Sequence, residues 1–104
     1  MEAVLTDWIA ERVRRHEFTG FQQAEIERGN DALSLSDIEY ALLNGRIIES
    51  NPDTGRGVSC LVYGETQRGA AHVVCGRNKY SWLVIATVYI PAWPKWKSPT
   101  ERNR

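Results

Sequence analysis

Residues 80–90, YSWLVIATVYI, are the part of the sequence that most constrains the fold. The run has hardly any polar side chain and is rich in β-branched and aromatic residues. This composition favours an inner strand that is buried on both faces for part of its length. Such a strand needs a neighbouring strand on each side and a layer of structure packed over it. The rest of the chain must supply both.

The first half of the chain predicts helices. Apolar residues recur at helical spacing along the first segment and predict a helix over about residues 3–16. The segment FQQAEIERG predicts a second helix. The clearest helix is predicted for residues 35–43, where Ser34 is the expected N-cap and Asp37, three residues on, the capping-box acid.

After Gly45 the pattern changes from helix to strand. Three short runs, RIIES, VSCLVYG and AAHVVCG, precede the long apolar strand at residues 82–90, and short turn sequences separate them. The sequence therefore predicts an α+β fold, with N-terminal helices packed on one face of a mostly antiparallel sheet of about four strands. Residues 1–104 form one domain that ends in an extended tail, rich in Pro, Trp and Lys, over residues 91–104.

Composition excludes a membrane-spanning protein. The mean hydropathy is −0.42, and no apolar run approaches the roughly 18 residues that a spanning helix needs. The first residues lack the basic-then-apolar order of a signal peptide. Cys60 and Cys75 are too few for a disulfide framework and are expected to be reduced thiols in a cytoplasmic protein.

Charge is divided unevenly along a chain whose net charge is zero. Residues 1–52 carry five Arg and ten acidic residues, whereas residues 53–104 carry eight Lys or Arg and three acidic residues. One interpretation is a solvated surface with a chance imbalance. The other is that the second half faces an anionic partner.

His72, in the segment GAAHVVCG, is the residue on which a functional interpretation depends. With a turn near Thr66-Gln67, Leu61 would face His72 and Cys60 would face Val73. Side chains alternate along a strand, so His72 points away from the face that carries Cys75, and Cys60 also lies on the opposite face from His72. A zinc site needs about four nearby ligands, so we expect no metal and no cofactor. Both cysteines are interpreted as core residues, at most diagonal neighbours.

A strand histidine is more often structural than catalytic, but His72 has suitable neighbours for RNA chemistry. Metal-free RNA cleavage needs a base for the 2′-OH, cations for the phosphate and an acid for the leaving oxygen. His72 is the candidate base or acid, and Tyr89 would orient or stack on a base. The candidate phosphate-binding cations are Arg56, Arg77, Lys79 and Lys95.

Four motifs together resemble a known bacterial family. DIEYALLNGRIIES, GRGVSCLVYG, RGAAHVVCG and IATVYIPAWPKW, in this order over residues 33–102, are similar to the domain-of-unknown-function family 4258. The resemblance implies a fold related to the RelE-like and MqsR-like toxins, the ribonucleases of bacterial toxin–antitoxin pairs. It also implies an antitoxin partner with a zinc finger and a helix-turn-helix, and a homodimer is a further expectation.

Two functions follow from these observations. The first is a toxin-type, metal-independent endoribonuclease acting on mRNA, which His72 and the basic second half favour. The second is a non-catalytic protein-binding module of RelE-like fold. The module is favoured by the zero net charge and by a departure from the family pattern, since Phe21 or Gln23 stands where relatives carry a helix histidine.

Overall fold

The structure, a computed structural model, describes residues 6–19, 34–51, 58–67, 69–91 and 94–103. The described residues form two helices and seven strands. The helices are α1 (Thr6–Arg14) and α2 (Leu35–Asn44). The strands are β1 (Phe18–Thr19), β2 (Arg46–Asn51), β3 (Ser59–Thr66), β4 (Gly69–Arg77), β5 (Leu83–Tyr89), β6 (Trp96–Ser98) and β7 (Glu101–Arg102).

Five of the strands form one mixed sheet in the order β1-β5-β4-β3-β2. Strands β2 to β5 pair antiparallel, but β1 runs parallel to β5, with Phe18 opposite Leu83. The prediction of a mostly antiparallel sheet of about four strands under N-terminal helices is therefore wrong. β1 has only two residues, so its sequence carries no alternating pattern from which a strand could be read.

The long apolar segment is an inner strand, as its composition predicts. β5 lies between β1 and β4, and Leu83, Ile85 and Val88 are fully buried. The expected helix over residues 35–43 is also confirmed. The Ser34 Oγ accepts from the Asp37 amide at 3.1 Å, and the Ser34 amide donates to the Asp37 carboxylate at 2.9 Å, which completes the capping box. The helix predicted from FQQAEIERG lies outside the described residues.

The core lies between the helices and one face of the sheet. Ile9 and Val13 from α1 and Ile38 and Leu42 from α2 meet the inward side chains of β3, β4 and β5. Gly64 lets α2 approach β3 closely, because a Cβ at this position would lie 2.6 Å from the Ala41 Cα. Residues Cys60, Val62 and Gly64 therefore face the helices, and by alternation Leu61, Tyr63 and Glu65 face the other side.

The C-terminal tail is not simply extended. β6 and β7 form a small antiparallel hairpin, with Trp96 opposite Arg102. Its ends are joined by bonds from the Asn103 amide to the Lys95 carbonyl at 2.9 Å and from the Asn103 side chain to the Pro94 carbonyl at 2.8 Å. Trp96 is 4% exposed, so the hairpin is packed against the protein. We call residues 94–103 the C-terminal hairpin and the sheet surface opposite the helices the outer face.

The close approach of α2 to β3 predicts that Gly64→Ala destabilises the protein by roughly 1–3 kcal/mol, because the added methyl overpacks the contact with Ala41. At an unconstrained position Gly→Ala stabilises by reducing the entropy of the unfolded chain, so the sign of the change is diagnostic. Urea unfolding measures it. Ala86→Ser, at an exposed position of β5, is the control and should change stability by no more than about 0.5 kcal/mol. A neutral or stabilising Gly64→Ala would contradict the packing.

Candidate functional site

The outer face brings together the polar side chains of three neighbouring strands. His72 of β4 lies opposite Tyr63 of β3 on one side and opposite Tyr89 of β5 on the other. The ring centroid of His72 is 6.4 Å from that of Tyr63 and 5.2 Å from that of Tyr89, and both pairs are edge-to-face. His72 is thus the centre of a row of rings that crosses the sheet.

A bulge in β2 adds a carboxylate to this face. Arg46 pairs with Tyr63 and Ile47 with Val62, but the register then shifts and Glu49, not Ile48, pairs with Leu61. A bulge of this kind turns the following side chain to the other face. Glu49 therefore lies on the outer face with His72, and the Arg46 guanidinium carbon is 5.7 Å from the centre of the Tyr63 ring.

The His72 ring is completely buried, with both nitrogens bonded. Nε2 is 2.6 Å from the carbonyl oxygen of Pro99, and Nδ1 is 3.1 Å from the Tyr89 hydroxyl. A carbonyl only accepts, so Nε2 must carry the hydrogen. In the neutral ring Nδ1 then accepts from the Tyr89 O–H, while the Trp96 side chain hydrogen-bonds to the Tyr89 oxygen. Every polar atom of the imidazole is used.

Burial also sets the charge state of this histidine. Removal from water lowers the pKa of His72 below its ordinary value of 6.5, although the bond to Pro99 acts in the opposite direction. The nearby Glu49 carboxylate raises this pKa and the Arg102 guanidinium lowers it. Burial raises the pKa of Tyr89. At neutral pH the pair is an uncharged imidazole and an uncharged phenol.

The C-terminal hairpin covers this cluster and completes it. The Trp96 indole packs edge-to-face on His72, with ring centroids 4.3 Å apart. Arg102 also stacks on Trp96, with its guanidinium carbon 4.6 Å from the indole centroid. The same guanidinium bonds both oxygens of Glu49, at 2.5 and 2.9 Å, and this contact raises the pKa of Arg102. The hairpin is therefore held to the sheet by the His72–Pro99 hydrogen bond, by the buried Trp96 contact and by the partly exposed Glu49–Arg102 ion pair.

Among the described residues proposed from sequence for RNA chemistry, the structure brings together His72 and Tyr89, which are hydrogen-bonded to each other. The His72 ring has no exposed surface. Arg77 lies at the far end of β4, with its guanidinium carbon 5.7 Å from the Trp8 ring centre. Lys79 is exposed in the following loop, and Lys95 is exposed at the start of the C-terminal hairpin. Arg56 lies outside the described residues.

The pairing of β3 with β4 differs from the predicted register. Tyr63, not Leu61, faces His72, and Cys60 faces Cys75 directly rather than Val73. The turn lies one residue later than predicted, which moves each partner by two positions. A shift of two keeps every side chain on its face. The prediction that His72 points away from both cysteines is therefore confirmed although the register is wrong.

The two cysteines form a buried cross-strand pair in the core. Both are free thiols, with sulfur atoms 3.8 Å apart, which corrects the expectation of a diagonal arrangement. The hydrogen bond with the Cys60 thiol, together with burial, raises the pKa of Cys75 well above its ordinary value. Within the described part of the chain, no three His, Cys, Asp or Glu side chains cluster as metal ligands would.

Several residues of this site were missed from sequence, among them Tyr63, Glu49, Trp96 and Arg102. Glu49 is brought to the outer face by a bulge, which leaves no clear signal in RIIES. Trp96 and Arg102 belong to a tail whose Pro and Lys content suggested an extended segment. The spacing of Trp96 and Arg102 in the sequence could have indicated these two residues, because it allows them to pair across a tight hairpin.

Comparison with known proteins identifies the family. The model of the family described as Domain of unknown function (DUF4258) matches residues 22–90, about two thirds of the chain. The chain belongs to this family. No match was found among curated proteins, and none among solved structures. The match includes Glu49, Tyr63, His72 and Tyr89 and ends before the C-terminal hairpin. No helix among the described residues has the length and apolar character needed to cross a membrane.

The buried His72 predicts a specific dependence of stability on pH. The unfolded chain binds a proton with the ordinary pKa of 6.5, whereas the folded protein binds it only at lower pH. Stability is therefore full above about pH 6.5 and falls as the pH decreases from there toward the lowered pKa. Thermal unfolding followed by circular dichroism from about pH 8 to about pH 5 measures this loss.

Two variants separate this effect from general acid sensitivity. His72→Gln should be less stable than the wild type at every pH, and its stability should decrease less steeply as the pH falls below 6.5. His16→Asn replaces the other histidine, at a left-handed position that Asn tolerates, and should keep the wild-type decline. An unchanged decline in His72→Gln would contradict a neutral, buried ring.

Proposed function

We propose that the protein is a metal-independent endoribonuclease of the toxin type whose reacting groups lie on the outer face of the sheet. The observation that carries the proposal is the Glu49–Arg102 pair. It places a half-exposed carboxylate against a guanidinium directly above the His72 cluster. A proton acceptor and a cation at this spacing are what the attack of a ribose hydroxyl on the adjacent phosphate requires.

Glu49 is the base in this proposal. Its carboxylate takes the proton of the 2′-OH, the 2′-oxygen forms a bond to phosphorus, and the bond from phosphorus to O5′ breaks. Arg102 shifts from the carboxylate to the phosphate as charge develops there. The products are a 2′,3′-cyclic phosphate and a free 5′-OH, and neither a metal nor a water molecule is consumed in this step.

Tyr63 is the acid in this proposal. It is a diagonal neighbour of Glu49 on the same face, and the backbone positions of such pairs are roughly 7–8 Å apart. Its hydroxyl donates to Glu65, which raises the pKa of Tyr63 and keeps the phenol protonated; in this proposal the hydroxyl turns from Glu65 to give its proton to O5′. Arg46, stacked on the same ring, supplies a second cation. An open groove of about 250 Å³ lies beside Arg46 and Tyr63 and can accept a flanking nucleotide.

His72 is a positioning residue in this account and not the base proposed from sequence alone. Its two bonds fix the Tyr89 hydroxyl and the Pro99 carbonyl, and through the hairpin they hold Arg102 beside Glu49. Of the sequence-derived phosphate contacts, Lys95 is exposed on the same hairpin, whereas Arg77 and Lys79 can act only on a more distant part of an RNA strand. Arg56 remains a proposed contact.

The biological role rests on the resemblance to RelE-like and MqsR-like toxins. We propose that the protein acts on mRNA in the cytoplasm and is held inactive by an antitoxin with a zinc finger and a helix-turn-helix, with homodimer formation as a further proposal. The excess of Lys and Arg over acidic residues in residues 53–104 supports an anionic substrate.

The catalytic proposal predicts that Glu49→Gln reduces RNA cleavage by roughly 100-fold or more, because the amide cannot take a proton. The amide oxygen still accepts a hydrogen bond from Arg102, so the variant should fold. The assay measures cleavage of a single-stranded RNA and the 2′,3′-cyclic phosphate end. Glu101→Gln, which removes an exposed carboxylate next to Arg102 in the hairpin, is the control and should cleave at the wild-type rate.

Full activity of a folded Glu49→Gln would contradict the assignment of the base. Cleavage of an RNA whose 2′-OH groups are methylated would contradict the mechanism, because the nucleophile is then missing.

The second candidate is a non-catalytic protein-binding module. It is favoured by the closed hydrogen-bond network of His72, which leaves the imidazole no free atom and is typical of a structural histidine. The same assay decides between the two. Two results together would favour the module. The folded wild-type protein would leave RNA intact, both alone and with ribosomes, and Glu49→Gln would bind the partner protein as tightly as the wild type does.

A further inference from the structure

The loop between β4 and β5 exposes two aromatic rings that the core does not use. Tyr80 is 71% exposed and Trp82 is 40% exposed, although both flank a strongly buried strand. The hydrophobic effect disfavours such exposure, and Trp and Tyr together at a loop tip are typical of binding surfaces. We call residues 78–82 the aromatic loop.

The aromatic loop is held in one conformation by its own hydrogen bonds. The Asn78 side-chain oxygen accepts from the backbone amides of Tyr80 at 2.9 Å and Trp82 at 3.0 Å. The Asn78 backbone amide also donates to the Trp82 carbonyl at 3.0 Å, and Ser81 takes a left-handed conformation with φ of 64°. A fixed loop presents its rings without the entropic cost of ordering them on binding.

The charged residues of the aromatic loop and of the position before it are positive. The segment RNKYSW contains Arg77 and Lys79 and no acidic residue. The Lys79 ammonium lies 5.2 Å from the centre of the Tyr80 ring, so a cation and an aromatic face are presented together. At the base of the loop, Arg77 and Arg12 both lie within 6 Å of the centre of the Trp8 ring, and Arg12 is also paired with Glu17.

We propose that the aromatic loop binds single-stranded RNA, with Tyr80 and Trp82 stacking on bases and Lys79 contacting a phosphate. Every base has a π-face and the backbone is a polyanion, so exposed aromatic rings among cations fit this ligand without sequence preference. The loop begins six residues beyond His72 along β4, roughly 20 Å away, so a short RNA strand can reach both regions. The choice of RNA as the ligand rests on the proposed function. The aromatic loop would be a second RNA-binding region, in addition to the outer face.

Binding is measured on the full chain with a fluorescent single-stranded RNA oligonucleotide carrying 2′-O-methyl groups, which binds but cannot be cleaved. Tyr80→Ala and Trp82→Ala should each weaken binding by roughly tenfold. Lys79→Ala should reduce the slope of the logarithm of the binding constant against the logarithm of salt concentration by about the amount expected for one lost phosphate contact. Leu35→Ala, at an exposed apolar residue of α2, and Lys97→Ala, at an exposed lysine of β6, are the matched controls and should bind like wild type.

The outcomes separate this inference from the proposed function. Weakened binding by the aromatic variants supports the inference even if the wild type cleaves no RNA. Unchanged oligonucleotide binding in Tyr80→Ala and Trp82→Ala overturns it, even if Glu49→Gln abolishes cleavage. If these two variants instead lose self-association in sedimentation experiments while their RNA binding is unchanged, the loop is a protein contact and the inference is overturned.

Discussion

A buried imidazole must have a partner for each of its nitrogens, and the outer face of this protein is organised around that requirement. His72 has no exposed surface, and leaving either nitrogen unbonded would cost roughly 1–3 kcal/mol. One partner comes from the neighbouring strand, as the Tyr89 hydroxyl, and the other from the tail, as the Pro99 carbonyl. The histidine therefore couples the position of the C-terminal hairpin to the sheet.

This coupling explains why the charged groups of the outer face lie where they do. The hairpin that covers His72 also carries Arg102, and the bulge in β2 presents Glu49 to meet it. The sheet thus has one apolar face, packed against two helices, and one polar face whose charges are fixed by a short terminal segment. In the proposed mechanism, the positioning of the base and its cation depends on a residue that never touches the substrate.

The sequence predicted those features that depend on local pattern. The capping box of α2 and the inner strand β5 follow from residue spacing and composition, and the opposite orientations of His72 and Cys75 follow from alternation. The two-residue strand β1 could not be predicted because it is too short to show a period. The burial of His72 could not be predicted either. It depends on contacts with Trp96 and Pro99, which lie more than 20 residues away in sequence.

The most direct test of the account is the protonation state of His72 in the folded protein. Nitrogen-15 NMR of the imidazole distinguishes the two neutral tautomers and the charged ring. We expect a neutral ring with hydrogen on Nε2, unchanged as the pH is lowered through 6.5, the ordinary pKa of histidine. A ring that titrates near that value in the folded state, or that carries its hydrogen on Nδ1, would contradict the bond to Pro99 and with it the positioning of the hairpin.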